Sequence, residues 1–86
     1  METRVYGDLN AEGLEVVCRE DRYFVRYDAG AHQMAWREDE ITSDQFNRLR
    51  ASRTEEYAVI IELQRRIRSQ GDDPNCQNWV PPQHAL

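Results

Sequence analysis

Between Leu14 and Arg37 apolar side chains recur at every second position, whereas from Thr42 to Ser69 they recur at every third or fourth. A spacing of two suits a strand with one buried face, and a spacing near 3.6 suits an amphipathic helix. The chain therefore places strands first and helices second. In 86 residues there is room for one such switch around one core. The expected fold class is α+β: a three- or four-stranded antiparallel β-meander packed on a short and a long C-terminal α-helix. Residues 1–71 are expected to form the compact domain and residues 72–86 an extended C-terminal tail.

From Leu14 to Arg19, Leu14, Val16 and Cys18 share one face and Glu15, Val17 and Arg19 the other. Glu20-Asp21 then interrupts, and Tyr23 to Tyr27 resumes with aromatic and β-branched residues, the pattern of a tight hairpin. Gly30 suits a positive-φ turn position. A third strand is expected from His32 to Arg37, with His32, Met34 and Trp36 on one face. Thr3 to Gly7 supplies a fourth strand, joined through the turn Asn10-Ala11-Glu12-Gly13.

The helical half is marked by its caps. Thr42 and Gln45 fit a capping box, with Ile41 and Phe46 as the accompanying hydrophobic staple, and this helix is expected to run to about Ala51. Ser52 and Glu55 fit a second box, starting a helix from Arg53 to Ser69 that stops at Gly71. Arg65, Arg66 and Arg68 lie near its last turn, where the helix dipole favours cations. Its apolar residues Tyr57, Val59, Ile60, Ile61, Leu63 and Ile67 cover roughly 200° of the circumference, wider than the ~100° that one sheet face requires. The surplus needs the short helix, the tail or a second chain, so a homodimer is one expectation. The expected core is Leu14, Val16, Cys18, Val25, Met34, Trp36, Phe46, Leu49, Ile60, Leu63 and Ile67.

Composition narrows the function. There are 16 acidic residues against 11 basic ones, a net charge of −5, whereas general nucleic-acid binders carry a basic excess. All the basic residues are arginine, which pairs bidentately with carboxylates; a GC-rich codon bias has the same effect. No apolar stretch approaches the roughly 20 residues of a membrane-spanning helix. Met1-Glu2-Thr3-Arg4 lacks the profile of a secretory leader. Cys18 and Cys76 have no C-x-x-C partner and read as reduced thiols, so the expectation is a cytoplasmic protein with no membrane contact.

Chemistry-bearing motifs are sparse. His32, His84, Cys18 and Cys76 do not fall at metal-ligand spacing. The glycines stand singly, without a phosphate-cradling loop, and no nucleophile elbow occurs. Neither a metal, a cofactor nor catalysis is therefore expected. Glu38-Asp39-Glu40 is the densest acidic run; residues 1–43 hold 10 acids and 5 arginines, and residues 44–86 hold 6 of each. The run fits either a helix-dipole partner or a mimic of nucleic-acid phosphates. Arg22, Phe24 and Arg26 alternate with Tyr23, Val25 and Tyr27, a surface able to stack single-stranded bases. Trp79, followed by Val80-Pro81-Pro82, either folds back over the surplus arc of the long helix or anchors a partner.

In size, acidity and lack of cofactor motifs the chain is similar to the small accessory proteins of bacteria and their phages. The expectation is a non-enzymatic protein-binding module, an inhibitor or immunity-type factor that occludes a larger protein, with Tyr23, Arg26, Tyr27, Glu38, Asp39, Glu40 and Trp79 as candidate partner contacts. The alternative is a nucleic-acid-binding accessory protein that uses the arginine and tyrosine strand surface.

Overall fold

In a computed structural model, which describes residues 1–30 and 33–82, the elements follow in the order β1 (Glu2–Asp8), α1 (Leu9–Glu12), β2 (Leu14–Arg19), β3 (Arg22–Asp28), β4 (Trp36–Ile41), α2 (Ser43–Leu49) and α3 (Arg53–Ser69). The strands form one antiparallel meander in the spatial order β1-β2-β3-β4, and the two C-terminal helices pack on one of its faces.

The β2–β3 hairpin turns on Glu20 and Asp21, whose φ angles of 52° and 63° are both left-handed. A two-residue loop of this hand matches the twist of the strands it joins, at a steric cost that glycine would not bear. β1 carries a bulge between Arg4 and Tyr6. Its penultimate residue is Gly7 (φ 73°), where an added Cβ would sit 2.5 Å from the carbonyl oxygen of Leu14. The connection to β2 is a single helical turn: the Asp8 carboxylate accepts from the backbone N–H groups of Asn10 and Ala11, and Gly13 closes it in the left-handed conformation.

Both helix starts are capped. Thr42 Oγ1 accepts from the Gln45 N–H at 3.0 Å and Gln45 Oε1 accepts from the Thr42 N–H at 2.9 Å, completing the first box. Ser52 Oγ accepts from the Glu55 N–H, but the Glu55 carboxylate turns away to Arg48, so the second box is half-formed. Ile41 and Phe46, the staple residues, both lie in the core. That core runs from Leu14, Val16, Val25, Tyr27 and Ile41 on the sheet to Phe46 and Leu49 on α2 and Val59, Leu63 and Ile67 on α3. The Tyr23 ring stacks on Phe46, with centroids 4.5 Å apart.

The third expected strand lies further along the chain. His32 is outside the described residues, Met34 is 66% exposed and precedes the strand, and β4 instead spans Trp36–Ile41. Arg37, Glu38, Asp39 and Glu40 are strand residues, and each charge meets an opposite charge on its own or a neighbouring strand. Apolar alternation cannot register a strand whose side chains are satisfied by ion pairs. Three further core assignments shift: Cys18 and Trp36 are only half-buried, and Ile60 lies at the core's margin. Gly30 does not have a positive φ; it is needed because an added Cβ would collide with the Gln33 carbonyl.

Candidate functional site

The sheet face away from the helices is polar. Register sets Glu15 of β2, Arg26 of β3 and Glu38 of β4 side by side. Arg26, 7% exposed, donates to Glu38 (2.8 Å), Glu15 (3.0 Å) and Glu2 (2.8 Å), so every nitrogen of its guanidinium holds a carboxylate. Arg19 bridges Glu2 and Glu38, while Arg22 grips Glu40 through two bonds of 2.6 and 2.8 Å. The guanidinium groups of Arg19 and Arg22 also lie over the Phe24 ring.

The tail runs from the helix side of the sheet around the β4 edge to this polar face. Arg37, buried on the helix side beside Asp39, donates to the carbonyls of Asp73 and Cys76. At the edge the Asn78 side chain accepts from the Glu38 N–H at 2.8 Å and donates to the Glu38 carbonyl, as a neighbouring strand would. Trp79 then lies over Arg26, 4.6 Å from guanidinium carbon to ring centroid. Trp79 does fold back, but onto the sheet, not onto the surplus arc of α3. A shallow cleft of about 430 Å³ remains between Trp79, Arg26, Glu15, Arg4 and Asp8.

The residues expected to meet a partner are thus largely engaged within the chain. Arg26 and Glu38 belong to the three-carboxylate cluster, Glu40 is held by Arg22, and Asp39 is held by Arg37 and accepts from the Tyr27 hydroxyl at 3.2 Å. Tyr27 is 5% exposed, and Tyr23 is packed on Phe46. Tyr23 and Tyr27 point into the helix-covered side, so arginine and tyrosine do not share one open surface. Trp79 is half-buried.

Among the described residues, the displaced pKa values have a common direction, away from neutrality. Hydrogen bonds donated by Arg37 to Asp39 and by Arg22 to Glu40 raise the two guanidinium values. Burial works against the charge on Arg26, but the bonds it donates to Glu38, Glu15 and Glu2 outweigh it and raise its value as well. Burial likewise disfavours ionised Glu38, yet Arg19 and Arg26 hold its carboxyl below the usual carboxylate range. Burial, then the charge of Asp39, pushes the Tyr27 phenol up. The bond from Cys76 Sγ to Asp73, 3.3 Å long, pushes that thiol up too, away from the thiolate form that reacts. General acid–base work at neutral pH needs the opposite, a group drawn toward 7.

The third surface is the outer side of α3. Val59, Leu63 and Ile67 face the core, while Tyr57 is 69% exposed, and Ile60 and Ile61 are half-buried. With Arg53 and Glu56, Tyr57 and Ile60 line a shallow depression. These residues were absent from the expected contacts, although the 200° width of the apolar arc was the sign of them. No protein-family model matches the chain, and no curated protein or solved structure shows significant similarity to it.

Proposed function

We propose that the chain is a non-catalytic protein-binding module that acts by covering a surface of a larger protein. The observation that carries this reading is the contrast between a polar sheet face engaged by its own ion pairs and tail, and an α3 face that leaves Tyr57 exposed and Ile60 and Ile61 half-buried among the described residues. An exposed aromatic side chain beside partly exposed aliphatic ones at helical spacing is what a helix offers a partner groove or segment. An inhibitor or immunity-type factor needs no more than such a surface on a stable scaffold.

The test is purification of the tagged full chain from the cells that express it, followed by native mass spectrometry. The expected result is a stoichiometric complex with one larger protein, whose own activity changes as the complex forms. Recovery of the chain alone, or with nucleic acid in place of a protein, would overturn the reading.

A further inference from the structure

Resting on that protein-binding reading, we infer that the outer face of α3 is a docking surface for an acidic amphipathic segment of the partner. At 100° per residue the line opposite Val59, Leu63 and Ile67 runs through an arc of roughly 140° that carries Arg53, Tyr57, Ile61, Arg65 and Arg68 and no carboxylate. The acids of the helix lie elsewhere and are engaged: Glu55 and Glu62 bind Arg48 of α2, and Glu56 accepts from the Tyr6 hydroxyl. Arg66 donates to the Glu40 carbonyl. Arg53, Arg65 and Arg68 form no salt bridge among the described residues. Arg65 and Arg68 act on the Glu62 and Asp73 carboxyls only through space.

A chain of net charge −5 thus gathers three unpaired arginines along about 22 Å of one helix, with Tyr57 and Ile61 between them. Elsewhere Arg4, Arg19, Arg22, Arg26, Arg37 and Arg48 are engaged by the chain's own acids, Arg50 by the Asn47 side chain and Arg66 by the Glu40 carbonyl. Free guanidinium groups around an apolar centre complement a segment with apolar residues at helical spacing and Asp or Glu beside them. A second copy fits poorly. Antiparallel packing centred on Ile60 and Ile61 would bring Arg53 of one copy against Arg68 of the other. A nucleic acid fits poorly too, because isoleucine offers no stacking plane and the remaining charge of the protein repels phosphate.

The test is selection of 16-residue peptides from a random displayed library on the full chain, followed by affinity measurement against surface variants. The selected peptides are expected to be net acidic with apolar residues three or four apart. Reversal of all three arginines (R53E, R65E and R68E together) should weaken them by about tenfold or more, and Tyr57→Ser by about fivefold. These positions are exposed, and an unchanged thermal melt shows that the variants remain folded. A selection that enriches nothing, enriches neutral or basic peptides, or survives charge reversal overturns the proposal. Tighter retention of a 16-nucleotide single-stranded RNA, or a dimer in sedimentation that Tyr57→Ser dissolves, overturns it in favour of those occupants. Acidic peptides that cross-link to the polar sheet face would remove α3 as the surface and leave the protein-binding reading standing.

Discussion

The two faces of the sheet are built from the same four strands but held by different physics. On one, Val16, Val25 and Ile41 meet Leu49, Val59 and Leu63, and stability comes from apolar area removed from water. On the other, Arg19, Arg22 and Arg26 interdigitate with Glu2, Glu15, Glu38 and Glu40, and the tail closes over the cluster with Trp79. An apolar face accepts any partner of suitable shape, whereas a lattice of ion pairs depends on strand register. A slip of one residue along β3 would turn Arg26 to the other side. The polar face therefore specifies the pairing that the apolar face rewards.

The comparison breaks most sharply at Leu63, which is fully buried between α3 and the sheet. Leu63→Ala should lower unfolding free energy by about 3 kcal/mol, because the cavity cannot be refilled by its packed neighbours. Denaturant titrations at neutral and acidic pH should show the same loss.

Arg26→Ala attacks the other face and should carry a pH signature. Without the guanidinium, Glu2, Glu15 and Glu38 are left together and repel one another. The expected loss is about 2 kcal/mol near pH 7, below that of an enclosed pair because Glu2 reaches water. The carboxyl of Glu38 is held below its ordinary value of 4.5, so its contribution is present above that value and is lost as pH falls through the folded one. Wild type and Arg26→Ala should therefore converge in stability on acidification, unlike wild type and Leu63→Ala. A gap that stayed constant from neutral pH to below 4 would mean that Arg26 acts through packing of its stem instead.

The smallest effect sharpens the comparison at the hairpin that sets register for both faces. Glu20 and Asp21 occupy left-handed conformations that Asn and Gly adopt more readily. Replacing the pair, Glu20→Asn with Asp21→Gly, should raise stability by about 1 kcal/mol, read as a higher melting temperature at every pH.

Much of the apolar side was legible from residue order. The bounds of β2 and α3, both N-caps and the two-residue hairpin are local events, written in spacing and in capping residues within a few positions of one another. β4 was legible only at Trp36 and Arg37, the end of the expected third strand, because Glu38, Asp39 and Glu40 read as an acidic run before the helix until their partners on β2, β3 and the tail are in place. For the same reason the sequence did not show that the acidic run and Arg26 are engaged with one another and with neighbouring strands. For the α3 surface, the surplus apolar arc was visible in the sequence, but the pairing of Glu55 and Glu62 with Arg48 was not, and that pairing leaves the outer arc basic.

By itself, the sequence determined the class of fold, the order of its elements and the bounds of the long helix, since periodicity and capping act over one or two turns. Only the tertiary structure decided which charges neutralise which, that the tail crosses the β4 edge to lie on the polar face, and which arginines form no salt bridge among the described residues. Ion pairs here join residues as far apart as Arg26 and Glu2, 24 positions along the chain, and no local pattern encodes a partner at that distance. The strands must pair in register before those charges can meet.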